Sequence, residues 1–246
     1  MKLQKPCTLC NLKPHIKINK LNYCNNCFIK MFEMKCHRPL RKLPYKSKIL
    51  VLHDGGLSAS VLLEVLSNYK NKGIHLFTGF RTDTNEIDNS GLDKHGFCIL
   101  DSDDIHSKQD SFDFKDFSKF VNIEDLINLN GVIQNLNIDF VIFGSTVEEQ
   151  SINVFLELCK GNHIKGSDCD STHIINNKSV QFLNLFQEVK QKEVLYYFLQ
   201  KNLDCSFTSN TTQQKLTSII NKFIKKIDRD NSLALFNVLK TAKKLD

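Results

Sequence analysis

Long apolar runs are missing from this chain. No stretch approaches the roughly 18 consecutive apolar residues of a membrane span, so no spanning helix is expected. The opening MKLQKPCTLC has no apolar stretch of the kind a secretory signal needs, and a cytoplasmic location is expected. No internal repeat is visible, which leaves no sign of a repeat array. Acid is nearly absent from the first 48 residues, where Glu33 stands alone against twelve Lys and Arg. A segment so one-sided reads as a footprint for a polyanion.

The missing acid lies further along. Residues 83–157 carry sixteen Asp and Glu against four Lys and Arg, and residues 178–246 return to twelve basic and six acidic, for a net charge of +6. An acidic middle beside a basic start suggests a protein partner as well as a nucleic acid. With 41% apolar and 24% charged residues the composition is that of a soluble globular protein. A length of 246 residues suits one α/β domain with a small appendage. A chain of this size buries about 70% of its unfolded surface, so the main core needs no covalent staple.

Nine cysteines is an odd count. Four fall in tight pairs, which points to metal thiolates in a reducing compartment rather than to disulfides. Cys7-Thr-Leu-Cys10 and Cys24-Asn-Asn-Cys27 form two C-x2-C knuckles thirteen residues apart. Two residues between thiols let both sulfurs of a knuckle face one ion, and two knuckles complete a tetrahedral thiolate site. Cys7, Cys10, Cys24 and Cys27 are therefore the expected ligands of a structural zinc, which would fold a segment with little core of its own. A redox C-x2-C and a pair of disulfides are the other readings. A redox motif would sit beside a βαβ pattern, and this one does not. Cys36, Cys98, Cys159, Cys169 and Cys205 are scattered and read as small buried hydrophobes, although Cys169 after Gly166-Ser-Asp is open to reading as a reactive thiol.

From Lys48 onward the pattern alternates. Strands are expected at 49–52, 75–79, 97–100, 139–143 and 180–186, the first a continuous apolar run of the kind a doubly covered parallel strand shows. Helices are expected from Leu62 onward, around 112–120 and 123–136, after Ile152 and over 189–200. Strands alternating with helices predict a doubly wound parallel sheet. The tail is helical: Leu216, Ile219, Ile220, Phe223, Ile224 and Ile227 share a stripe, Thr211 with Gln214 fits a capping box, and Asn231 is placed to cap a last helix. The expected organisation is a four-Cys module over 1–34, a basic linker over 35–47, an α/β domain over 48–204 and a helical region over 205–246.

Between the first strand and its helix lies Leu50-Val-Leu-His-Asp-Gly-Gly-Leu-Ser-Ala-Ser60. A strand, a glycine turn and a helix N-terminus make a generic anion site, because free amides and the helix dipole point at the ligand. Gly55 and Gly56 allow close backbone approach, and Ser58 and Ser60 offer hydroxyls. A plain tight turn explains the glycines about as well.

Gly55–Ser60 resembles the pyrophosphate loop of the adenine-nucleotide α-hydrolase superfamily, whose working form is S-G-G-x-D-S. Laid on that motif, the first Ser is Asp54, the Asp is Ser58 and the last Ser is Ala59. A carboxylate at Asp54 would oppose a polyphosphate, and the acid that helps place a metal is gone. The order of a four-Cys module, Cys27-Phe28, Lys35-Cys-His-Arg38 and the loop resembles the cytoplasmic tRNA 2-thiolation protein 2 family, in which a serine stands at the Asp position. Further matches are Phe143-Gly-Ser145 and Lys192-Glu-Val194. The basic residue and proline of the family's pattern are Asn184 and Leu185 here.

The resemblance implies a fold of the pyrophosphate-loop type. It implies a non-catalytic or weakly catalytic subunit, paired with a related subunit that keeps the intact loop. Together the two would replace the wobble-uridine 2-oxygen of tRNAs for Lys, Glu and Gln with sulfur, using ATP and sulfur carried by a ubiquitin-related modifier. ATP binding by this chain itself stays in doubt. Lys35, Arg38, Arg41 and Lys42 are the expected tRNA contacts, with Tyr23 and Phe28 weighed as stacking groups. The alternatives are an ATP-pyrophosphatase that adenylates its own tRNA and a stand-alone zinc-ribbon RNA binder.

Overall fold

A computed structural model describes residues 5–52, 56–69, 75–79, 98–99, 133, 137–161, 172–175, 178–204 and 215–244. The helices expected near 112–120 and 123–136 fall almost wholly outside these residues. So do the Thr211–Gln214 box, Cys169 and Cys205.

The chain opens with a hairpin of β1 (Ile16–Ile18) and β2 (Leu21–Tyr23), paired Ile16 to Tyr23 and Ile18 to Leu21. Its two-residue loop puts Asn19 and Lys20 at φ 46° and 71°, the doubly left-handed turn that matches strand twist. Helix α1 (Asn25–Leu40) follows directly. It runs through the boundary expected at residue 34, so the first part of the basic linker is helical. Pro39 sits in its last turn, where little of the helical ladder remains to be broken.

Beyond it lie β3 (Lys48–Leu52), α2 (Leu57–Ser67), β4 (His75–Gly79), β5 (Cys98–Ile99), β6 (Phe140–Phe143) and α3 (Val147–Lys160). Then come β7 (Thr172–Ile175), β8 (Lys178–Asn184), α4 (Gln191–Lys201), α5 (Lys215–Asp230) and α6 (Ala234–Ala242). Six strands form one sheet in the order β5-β4-β3-β6-β8-β7. All pairs are parallel except β7 with β8. Strands β3 and β6 are buried on both faces, which is why their sequences are uninterrupted apolar runs.

On one face Ile49, Val51, Phe140, Ile142 and Leu183 pack with α1, α2 and α4 through Phe28, Phe32, Leu62 and Tyr197. On the other, Leu50, Val141 and Phe182 are buried in register. A second cluster joins α3 to α5 and α6 through Val154, Ile220, Ile224, Leu235 and Leu239. Helix α3 has strong local signals. Thr146 and Glu149 form a reciprocal capping box, and Gly161 ends the helix at φ 73°. At the last helix, the Asn231 side chain accepts from the Leu233 amide at 3.0 Å, while Leu233 occupies the cap position. Among the described residues no helix is long and apolar enough to cross a membrane.

From β3 the chain crosses over α2 to β4 on one side, and β6 lies on the other. The β3/β6 boundary is therefore the switch point of the sheet, the place where open α/β folds bind ligands.

Candidate functional site

The four cysteines expected as ligands converge. Their sulfurs all lie within 4.8 Å of one another, with Cys10 Sγ and Cys24 Sγ 3.4 Å apart. The first knuckle is a turn closed by Asn11 N–H to the Cys7 carbonyl at 3.0 Å, with Asn11 left-handed at φ 61°. Thr8 ties it to the hairpin, its amide donating to the Asn22 carbonyl at 2.8 Å. The second knuckle is the N-terminus of α1, where Cys24 is the cap and Cys27 lies in the first turn, which holds no acid. A helix start is a favourable place for thiolates.

Burial opposes ionisation of Cys7, yet hydrogen bonds from the backbone of Cys24, Leu9 and Cys10 outweigh it and bring the thiol down to about 6. Cys27, hydrogen-bonded to the thiols of Cys10 and Cys24 and partly desolvated, is pushed up to about 12. A divalent cation would hold all four as thiolates. Four thiolates this close could hold a metal ion; around zinc, Zn–S bonds of about 2.3 Å would set tetrahedral S···S edges of about 3.8 Å. Among the described residues this is the one convergent group of three or more His, Cys, Asp and Glu.

Of the segments flanking the switch-point crevice, the turn after β6 and the start of α2 are described. Asp54 and Gly55 lie outside the described residues. Gly56 caps α2 with no side-chain hydrogen bond, and no acid stands in the first turn of that helix. Ser58 is half-buried in that turn, and Ala59, at the position of the motif's last serine, is buried. The Ser60 hydroxyl donates to the Asp204 carbonyl at 2.9 Å and lies 3.3 Å from that of Gly56.

Across the crevice, Asn184 at the end of β8 clamps the turn after β6. Its side-chain oxygen accepts from the Ser145 amide at 2.9 Å, and its NH2 donates to the Ser145 carbonyl at 2.8 Å. The same oxygen accepts from Phe186 N–H at 3.0 Å. Leu185, where the family pattern has proline, donates its amide to Phe143 at 3.0 Å, a bond proline cannot make. Gly144 lies under Phe186, where an added Cβ would stand 2.8 Å from two ring carbons. None of these roles was expected for Asn184 or Leu185 from the sequence.

The basic residues divide. Lys35 is half-buried and bonds both oxygens of Glu193 at 3.0 and 3.2 Å, joining α1 to the first turn of α4. Arg38 is exposed and stands 3.6 Å from the equally exposed Glu188. Arg41 and Lys42 are exposed just past α1. Lys35, Arg38 and Lys42 line one cleft of about 320 Å³ against β8 and the turn that follows it. Tyr23 and Phe28, weighed as stacking groups, are buried instead, Phe28 in the main core beside Phe32 and edge-on to Tyr196. Burial holds the Cys36 thiol protonated far above its usual range, so it is inert core. A further ionic group went unnoticed in the sequence: buried Lys190 bonds Asp228 and, at 2.6 Å, the Ser232 carbonyl, pinning the start of α4 to the tail.

No protein-family model matches the chain, and no curated protein matches it. Among solved structures it is similar to the U34-tRNA thiolase NcsA from Methanococcus maripaludis, determined with its [4Fe-4S] cluster. That likeness has a TM-score of 0.77 at 16% identity and covers 99% of this chain and 87% of the other. A looser match is the NH3-dependent NAD synthetase of Campylobacter jejuni in complex with nitrate, with a TM-score of 0.42, 13% identity, and 88% and 92% of the two chains covered. The fold is thus shared with that thiolase: a sheet parallel but for its β7–β8 edge, with a four-Cys group able to hold a metal at its start and helices at its end.

Proposed function

We infer that this chain is a tRNA-binding subunit of a wobble-uridine 2-thiolation complex, itself non-catalytic or weakly catalytic. One combination carries the reading. The fold of a tRNA thiolase runs through almost the whole chain, while the loop that would activate ATP has Asp54, Ser58 and Ala59 in place of its serine, aspartate and serine. A retained scaffold with altered chemistry fits a subunit that presents RNA to a competent relative. That relative would be a pyrophosphate-loop subunit with the intact S-G-G-x-D-S sequence, charged by a ubiquitin-related sulfur carrier in the cytoplasm.

Each part of the chain then has a role. The four thiolates hold a structural zinc, the ion their spacing suits. Basic residues at the end of α1 meet tRNA phosphates, adding salt-dependent affinity but little sequence choice. The helical tail and the acidic middle offer surfaces for the partner.

The test is reconstitution. Transcribed lysine tRNA, ATP, a sulfur donor and the intact-loop subunit are combined with and without this chain, and 2-thiouridine is measured by mass spectrometry. Thiolation that depends on the chain, together with no pyrophosphate release by the chain alone, is the expected result. Full thiolation without it, or brisk ATP cleavage by the chain alone, would overturn the reading.

One feature favours a second reading, an ATP-pyrophosphatase with a variant loop. The α2 N-terminus has no side-chain cap and no acid in its first turn, and an anion there would meet the positive end of the helix dipole. In that case the lone chain releases pyrophosphate from ATP, and Gly56→Ala abolishes it.

A further inference from the structure

The cleft beside α1 does not end at Lys42. Gln181, exposed on β8, lines it and also lines a second cleft of about 470 Å³, bounded by Pro44–Ser47 and the starts of β6 and β8. The chain between the two, Leu43-Pro44, is continuous. Sharing Gln181, the two clefts follow β8 in turn, from the N-terminal edge of the sheet to the Asn184–Glu188 turn, as the two parts of a groove. That turn is the one Asn184 clamps to Ser145 at the switch-point crevice.

The groove has three kinds of wall. Arg38, Lys42 and Lys46 are exposed cations along one side, and Lys42 has no ion-pair partner among the described residues. Leu43 and Leu183 give an apolar floor, and Gln181 and Gln187 offer amide donors and acceptors. Tyr45 stands in the second cleft with 69% of its surface exposed, and the Lys46 ammonium lies 5.6 Å from the centre of its ring. An aromatic ring this open, backed by a cation inside a basic groove, is the arrangement on which unpaired bases stack while cations follow the phosphates.

We propose that this groove is a single-strand RNA site. It takes a short run of unpaired nucleotides, with one base stacked on Tyr45, phosphates on Lys46, Lys42 and Arg38, and the strand led toward the switch-point crevice. The proposal rests on the RNA-binding reading above and adds the path and the stacking residue. Glu188 gives it a distinctive signature. In the free protein its carboxylate faces Arg38 at 3.6 Å, so an incoming phosphate must displace it.

The test uses the full-length chain with transcribed lysine tRNA, in filter binding over a series of KCl concentrations. Tyr45→Ala is expected to weaken binding about tenfold with the salt slope unchanged, and Tyr45→Phe to retain it. Changing Arg38, Lys42 and Lys46 together to Gln is expected to lower the slope by about 2, near 0.7 per single-strand phosphate contact. Glu188→Gln is expected to tighten binding a few-fold, the opposite direction from a loss of structure. Polyglutamate, a competitor with charge but no bases, should be indifferent to Tyr45→Ala. If tRNA binds the wild type and Tyr45→Ala and Glu188→Gln both leave affinity unchanged, the groove is wrong while the subunit reading stands. An equal loss of polyglutamate binding in Tyr45→Ala also overturns it, in favour of an acidic protein ligand. If the wild-type chain binds no tRNA, both fall.

Discussion

Replacing Lys35 by Met should be far more costly than replacing its partner. Glu193 is 1% exposed, and both its oxygens lie within 3.2 Å of the Lys35 ammonium. Without that cation the carboxylate keeps one weak donor, the Lys190 amide at 3.4 Å. Stranding a buried charge in this way costs about 3–5 kcal/mol. Glu193→Gln strands the other end, but Lys35 is 18% exposed and its four-carbon stem can carry the ammonium to water. A cost of about 1–2 kcal/mol is expected there. The double variant Lys35→Met/Glu193→Gln removes both charges and should cost less than Lys35→Met alone, giving a coupling of about 3 kcal/mol. Urea unfolding with an unchanged slope is the assay, and Lys30→Met, at an exposed position on the same helix, is the control. If Lys35→Met costs no more than Lys30→Met, within about 0.5 kcal/mol, the ion pair is not the bolt between α1 and α4. If Lys35→Met instead lowers the salt slope of tRNA binding at full stability, the side chain is an RNA ligand after all.

Gly144→Ala places a methyl 2.8 Å from two carbons of the fully buried Phe186 ring and should cost about 1–3 kcal/mol in the same assay. Chelation should unfold the N-terminal knuckles, and elemental analysis should give one metal per chain rather than four irons, with Cys24→Ser losing it. Burial raises the Glu148 carboxyl above its ordinary value, with Asp228 adding to the effect against the Gln191 amide and Lys190. A raised folded value means that protonation favours the folded state. This contribution is present below the unfolded glutamate range near 4.3 and is lost as pH climbs through the folded value. The stability of the parent relative to Glu148→Gln should therefore fall as pH rises above the ordinary glutamate range, and parallel curves would refute the assignment.

Much of this was legible where the signal is local. Ile49–Leu52 and Phe140–Phe143 are continuous apolar runs because both their faces are covered, and the tail stripe predicts α5 because Ile220 and Ile224 face its core. The four thiols met because C-x2-C spacing is itself geometry. What stayed hidden depends on distant partners. Lys35 reads as a free cation until Glu193, 158 residues away, is folded against it. Two prolines made 35–47 look like a linker, yet Phe32, Cys36 and Leu40 bury one helical stripe across that boundary. Tyr45 passed unnoticed, since an aromatic between Pro44 and Lys46 carries no period, and only the fold shows that its ring stays largely exposed beside the Lys46 ammonium.

Helix α1 begins at two of the four converging thiols and ends beside Arg38 and Lys42, with Lys35 bolted to α4 on the way. A rigid rod anchored at one end by an ion sets the position of whatever hangs from the other. If the four thiols hold an ion as proposed, stripping or oxidising them would be felt several helical turns away, as a shifted wall of the cleft that Arg38 and Lys42 line.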